Sequence, residues 1–577
     1  MEKKGIIAIV LTFLIIVVWS FVQSWLYPPE PPKEVKKENV VPLEQKKTTE
    51  ELKPGPSKEA KPIQKVKEVE RKEVIVETDN YWAVFTSENA GLKQFKLKKY
   101  KDRVNESGIT IKLTEFVDGL LGKKVEEQKK PEPLDLVDIK GAEGLPLTLA
   151  TGNSQVSFQP GNWEVDRERL TLSRSGEKGE VTFEKSLDNG LKILKRYRFH
   201  QESYVIDIDV EIQNPTAKEA NLQLGLDWVG KIELSKLAAD GNKDFGLRYA
   251  LLKNEKVEGK EFGGASSGGC VPSCGPQNTK IEPFEFSDRG NIKWFSFGGE
   301  YFSALLIPPP AVKEISLSVK GNDKDILQAT ITPPGVTIPP QQSVRIPYRA
   351  YLGPKEEKQL KAIGVEAEKL VDFGWFTVVA KPLLWFINAS HTVTKNFGID
   401  IILISILIKI IFLPLTQMSF KSMKEMQKVQ PEMNRLKETY KNDKARLQQE
   451  IMLLYKRRKV NPMTGCLPMV IQIPVFIALY NALQNTIEMR HAPFFLWIQD
   501  LSAKDPIYIT PLIMGATMVI QQKMTPTAAY PAQAKMMLLM PVMFTFLFLN
   551  FPSGLVLYWM VNNVLSIAHQ YYLNKKL

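Results

Sequence analysis

Histidine and cysteine are scarce in this chain: four and three among 577 residues. His200 is the only histidine between residues 73 and 354. Metal centres and histidine acid–base pairs therefore lack ligands there, no cofactor is implied, and His200 reads as an ordinary strand-end residue. Only a carboxylate pair would serve a sugar-processing enzyme built on that region. Nucleic-acid recognition motifs are also missing, so the net charge of +12 does not imply DNA or sequence-specific RNA binding. Cys270 and Cys274 lie in the loop GGASSGGCVPSCGPQN. No further metal ligands surround them, which leaves a local disulfide in an oxidising compartment, or free thiols. Cys466, near the start of an apolar run, reads as a small buried residue.

A signal-peptidase site is missing too. Ile6–Leu26 is free of charge and follows Lys3 and Lys4, but Trp19, Trp25 and Tyr27 stand where small residues would be needed. Residues 1–27 are thus expected to be an uncleaved anchor with its N-terminus in the cytoplasm. Residues 28–72 have almost no aromatics or long apolar runs and cannot bury enough surface to offset ordering entropy, which predicts a disordered tether.

The mean hydropathy of −0.17 averages two unlike halves. Residues 73–354 alternate polar and apolar positions: EVIVETDNYWAVFTS, GITIKLTEF, ILKRYRFH, YVIDIDVEIQN, ISLSVKG and VRIPYRAYL read as strands of one large all-β sandwich. Residues 355–398 mix charge with Leu360, Ile363, Leu370 and Trp385, and Lys381 and Pro382 interrupt the best apolar run. They are expected to form an amphipathic segment lying in the membrane interface.

Residues 399–577 read as a helical core of five spans. Ile399–Thr416 carries Lys409 in its interior, with Ser405 one turn earlier on the same face. A cation at that depth costs about 2.5–3.5 kcal/mol against lipid, so it should face protein or water. Residues 419–462 predict a basic cytoplasmic helical hairpin. Its methionines, Met418, Met423, Met426, Met433 and Met452, would either pack the two helices or offer a pliable binding surface. Further spans fall near 466–487, 507–522, 536–551 and 555–569. With the anchor this gives six spans, both termini inside, and each basic cluster on the cytoplasmic side. Gln472, Asn481, Gln522, Tyr558, Trp559, Asn562 and Asn563 are the polar or amphipathic residues able to face Ser405 and Lys409. Singly each suits interhelical glue or an interface anchor; together with a buried cation they imply a wet groove.

ILIKIIFLPLTQMSFKSMKEMQKVQP, KVNPMTGCLPMVIQIPVFIALY, APFFLWIQDLSAKDPIYITPLIMG, QQKMTPT and FPSGLVLYWMVNN resemble, in order, the core of the YidC membrane protein insertases. The anchor, tether and β-domain resemble the six-span version of Gram-negative bacteria. The resemblance implies a periplasmic supersandwich domain, an inner (cytoplasmic) membrane location and insertion of nascent membrane proteins, alone or with the Sec translocon. The implied working site is a groove open to cytoplasm and lipid, with no covalent catalysis. Ser405, Gln522, Tyr558 and Trp559 match groove-lining positions. The groove cation of the family is usually arginine; Lys409 keeps the charge but loses the planar fork. The tail after His569 is short, so the hairpin is the expected ribosome-docking surface. An anion transporter is the rival class, but no inverted repeat or second charged span supports it. A membrane-anchored carbohydrate enzyme would leave five spans unexplained.

Overall fold

A computed structural model of the chain describes residues 70–104, 108–120, 130–137, 139, 144–152, 161–234, 244–262, 281–458, 460, 467–524 and 531–576. The expected anchor, nearly all of the tether, and Cys270, Cys274 and Cys466 lie outside these residues.

Strands run from Glu73–Glu77 to the thirteen-residue Gln342–Pro354. They form a nine-stranded sheet, two five-stranded sheets and a two-stranded ribbon. In the nine-stranded sheet, Val205–Asn214 pairs antiparallel with Lys192–His200 and with Gln342–Pro354, which places Ile208 between Tyr197 and Tyr348. Period-2 alternation sends Ile193, Tyr197 and Phe199 inward. Outward positions carry cross-strand ion pairs such as Arg196 with Glu211. Side chains from all three larger sheets share one core, including Phe85, Tyr197 and Leu226.

One expected strand is a helix. GITIKLTEF lies in α1, Gly108–Leu120. Its first residues alternate, but Leu113, Phe116 and Val117 follow helical spacing, and the longer pattern wins.

Helix α2, Glu357–Ile363, follows the last strand, and α3, Thr377–Thr394, comes after two short 3-10 turns. Ala380 and Ile387 of α3 are fully buried, whereas Val378, Trp385 and Val393 are exposed along the opposite side.

The stretch expected to run as one span from Ile399 to Thr416 is broken. Helix α4, Phe397–Ile411, starts on an Asn396 cap and stops at Phe412; α5, Leu413–Thr439, then leaves at 59°. Pro414 explains the break, because its ring would clash with the carbonyl of Ile410 in a continuous helix. It is well placed in the first turn of a new one. Lys409 therefore sits in the last turn of α4, where its charge complements the helix dipole.

Helix α6, Lys444–Arg457, folds back on α5, and the Asp443 carboxylate accepts from the Arg446 amide at 3.0 Å to cap it. Met426 and Met433 are buried between these helices with Val429, Leu447, Ile451 and Leu454, while Met418 and Met452 are exposed. The methionines thus divide between packing and surface.

The remaining helices are α7 (Leu467–Asn485), α8 (Ile509–Met524), α9 (Pro531–Phe548) and α10 (Ser553–Lys576). Among the described residues no single helix is long and apolar enough to cross a membrane; the bent pair α4–α5 meets that length and composition when taken together.

The loop between α7 and α8 joins this bundle to the β-domain. The Arg490 guanidinium forms a buried double ion pair with Asp244, donates to the Lys101 carbonyl at 2.7 Å and lies 5.1 Å over the Phe302 ring. The same loop holds the start of α10, through Gly554 N–H to Leu501 O at 2.9 Å and Ser553 Oγ to Asp500 O at 2.7 Å.

Candidate functional site

On α10 the residues Tyr558, Asn562 and Ser566 are four apart and form one stripe. Asn562 Nδ2 donates to the Tyr558 carbonyl at 3.3 Å, and Ser566 Oγ donates to the Asn562 carbonyl at 2.7 Å. Lys409 reaches across from α4 and donates from Nζ to Ser566 Oγ at 2.6 Å. Among the described residues no carboxylate pairs with this half-buried ammonium. His569 stands beside it, and neither of its ring nitrogens is hydrogen-bonded. Gln472 of α7 completes the track: its amide and that of Asn562 are polar neighbours of the buried Tyr558 hydroxyl, which does not meet full hydrogen-bond geometry.

The track has one closed end. One turn back along α4 from Lys409, Ser405 is fully buried and gives its hydroxyl to the Ile401 carbonyl at 2.6 Å. Beyond it, Ile401 and Ile404 share an apolar core with Leu555, Val556 and Leu557. A Cβ on Gly554 would lie 3.2 Å from the Ile401 side chain and 3.0 Å from the Leu501 carbonyl, so glycine permits this close approach. Polar groups therefore line the half of the α4–α10 contact toward the α5–α6 hairpin, and apolar packing seals the half toward the β-domain.

Of the nine residues expected to line a groove, Lys409, Gln472, Tyr558 and Asn562 come together, with Ser405 at the closed end. Asn481 lies elsewhere: its Nδ2 donates to the Phe373 carbonyl at 3.1 Å and ties α7 to the segment before α3. Trp559 belongs to an aromatic core, with ring centroids 5.1 Å from Phe476 and 5.3 Å from Phe548. Gln522 is half-buried late in α8, and among the described residues no hydrogen bond joins it to the track. Asn563 donates to Thr517 Oγ1 at 3.3 Å and fastens α10 to α8. Sequence reasoning missed Ser566, although its spacing from Tyr558 and Asn562 was a usable signal.

Elsewhere the chemistry is quiet. Among the described residues no group of histidine, cysteine, aspartate and glutamate side chains could hold a metal ion. His200 ends its strand and lies 2.8 Å from the Asp207 carboxylate. An open hollow of about 790 Å³ on one five-stranded sheet is lined by Ser287, Ser316, Ser318 and Thr330. The charged residues at its edge are paired: Asp288 with Lys253, Arg289 with Glu314, Lys320 with Glu285.

A half-buried ammonium with no carboxylate partner among the described residues thus stands on a polar helix stripe that is sealed at one end, in a bundle of apolar helices beside a large β-domain. Residues 389–577 match the family described as 60Kd inner membrane protein, and residues 119–386 match the YidC periplasmic domain. The chain is 39% identical over 592 residues to the membrane protein insertase YidC of Syntrophus aciditrophicus (strain SB), with 100% of both chains covered. It is 38% identical over 581 residues to that of Geotalea uraniireducens (strain Rf4), again with 100% of both covered. Among solved structures, an active YidC insertase with its first transmembrane domain resolved aligns over 87% of this chain and 92% of its own, at 20% identity and a TM-score of 0.35. The chain belongs to the YidC family of membrane protein insertases.

Proposed function

We propose that this protein is an inner-membrane insertase and chaperone whose working surface is the Lys409 track. The observation that carries this reading is the half-buried ammonium of Lys409, held by the Ser566 hydroxyl and paired with no carboxylate among the described residues. A structural cation would be expected to have a counter-ion; this one is available to a passing acidic group.

The reading includes six spans with both termini in the cytoplasm, and the β-domain of residues 73–354, of supersandwich type, in the periplasm. Residues 355–398 lie along the outer interface, and residues 399–577 form the core with the 419–462 hairpin in the cytoplasm. The short helices fit it. Helix α4 has 15 residues, or ~22 Å at 1.5 Å per residue, against ~30 Å of hydrocarbon; such mismatch favours local thinning.

Function is then a lowered barrier. A translocating tail would otherwise carry charges and backbone amides through hydrocarbon at several kcal/mol per unsatisfied group. A polar track open on the cytoplasmic side and reaching partway across shortens that path. Lys409 attracts acidic residues of the tail, and burial of the client's apolar span in lipid supplies the driving force at about 25 cal/mol per Å². Partners are nascent membrane proteins, membrane lipid, the Sec translocon and the ribosome, the last through the basic hairpin.

The test is insertion of a single-span client into liposomes containing only this protein, scored by protease protection of the translocated tail. Insertion that falls in Lys409→Ile supports the groove. Insertion indifferent to Lys409→Ile removes the charge from the mechanism, and no insertion above empty liposomes rejects autonomous function.

A further inference from the structure

The turn Pro493–Ile498 between α7 and α8 sorts its apolar residues in two directions. Phe494, Trp497 and Ile498 turn inward: Ile498 is buried, Phe494 and Trp497 pack on the bundle core, and Trp497 Nε1 donates to Asp505 at 3.3 Å. Phe495 and Leu496 turn outward, 66% and 54% exposed. Backbone bonds fix the turn, Phe494 N–H to Ile498 O at 2.9 Å and Ile498 N–H to Phe495 O at 3.1 Å. Leu496 holds φ +52°, a left-handed conformation that glycine adopts freely and leucine does not. The fold therefore tolerates strain while presenting two large apolar side chains to the outside.

Position identifies what covers them. Asn396 Nδ2, at the cap of α4, donates to the Phe494 carbonyl at 3.0 Å, and the Phe494 ring fills the space where Gly398 lacks a Cβ. From the next residue an exposed apolar stripe runs down α4 through Ile399, Leu403, Ile406 and Ile410, the spacing of one helix face. The only acidic or basic residue between His491 and Ala503 is Asp500. Its carboxylate is turned inward, onto the His491 and Ser502 amides and the Ser502 hydroxyl. The tip is thus uncharged and lies where the lipid-facing stripe of α4 begins.

We infer that Phe495 and Leu496 form a lipid anchor, inserted at the headgroup–acyl boundary of the outer leaflet. This rests on the membrane placement of α4 proposed above. The anchor fixes the α7–α8 loop to the bilayer surface, and through Arg490 and Ser553 the same loop holds the β-domain and the start of α10. It gives the sealed end of the track a defined depth in the membrane.

The experiment uses the full chain with Cys270, Cys274 and Cys466 replaced by serine and one new cysteine carrying an environment-sensitive fluorophore. The new sites are Phe495→Cys, Leu496→Cys, Ile410→Cys on the α4 stripe and Val257→Cys on the exposed face of a β-domain strand. The protein is reconstituted into phosphatidylcholine vesicles with and without spin-labelled phosphatidylcholine. The expected result is blue-shifted emission at 495 and 496 and a quenching loss as large as at 410, with 257 unaffected. Quenching at 410 without quenching at 495 and 496 overturns the anchor. No quenching at 410 overturns the membrane placement on which it rests. Equal quenching at 257 exposes non-specific partitioning of the label and also overturns the assignment.

Discussion

Replacing Arg490 by methionine should loosen the β-domain from the helical bundle more than any surface ion pair could. The Arg490 and Asp244 side chains are only 3% and 9% exposed, so removing the guanidinium takes the Arg490 ion pair away from a buried carboxylate. Breaking such a pair typically costs about 3–5 kcal/mol; the lost bond to the Lys101 carbonyl adds about 1. The full chain does not suit a single unfolding free energy, so the readout is hydrogen exchange in residues 486–508 and in the strand Gly91–Lys101. At about 1.4 kcal/mol per tenfold, Arg490→Met should raise exchange there by roughly a thousandfold to ten-thousandfold. Asp244→Leu alone should act similarly, because it strands the guanidinium. The double variant should recover much of the loss, since it leaves neither charge behind. Unchanged exchange in Arg490→Met, or a double variant as damaged as the sum of the singles, would refute the pairing as the joint between the two parts.

The neighbouring His491 adds pH dependence. Burial first and the adjacent Arg490 second push its pKa from 6.5 down to about 3, with Asp102 opposing and the Asp500 carboxylate 3.9 Å away. The unfolded loop takes up a proton below pH 6.5 and the folded one does not, so loop protection should be full above that pH and decline toward 3; His491→Gln should flatten the profile of hydrogen exchange. Lys195 gives the opposite window. Burial lowers its pKa from 10.5 to about 7, so β-domain stability should rise from pH 7 toward 10.5. Lys195→Met should abolish that rise without lowering the melting temperature at pH 7, because Tyr197 Oη still donates to the Ala90 and Leu147 carbonyls at 2.7 and 3.2 Å. At the track, an ion pair at contact is worth about 4 kcal/mol at an effective dielectric near 20. Insertion of acidic tails should therefore fall well below that of neutral tails in Lys409→Ile and survive in Lys409→Arg; equal losses in the protease-protection assay would remove attraction from the mechanism.

How far these features were legible depends on whether local spacing or a distant partner decides them. Alternation in ILKRYRFH reports a half-buried strand because each residue's face follows from its position alone. The same rule misled at GITIKLTEF, where a few alternating residues masked a longer helical repeat. Pro414 was visible, yet hydropathy averaged over it and joined two helices that meet at 59°. Faces within the bundle were harder. Asn481 shares its residue type with Asn562 of the track and Trp559 directly follows Tyr558, and only the packing of α7 and α10 sends one to the Phe373 carbonyl and the other into an aromatic core. Arg490 is the limiting case. In sequence it is one charge in a nearly balanced loop, and its partner is 246 residues away. Periodicity says which side of an element is buried, but it carries no information about what the buried side meets. The joint between the two halves of this protein lies in that second kind of information, and so does the choice among polar residues that makes Ser566, rather than Asn481, the companion of Lys409.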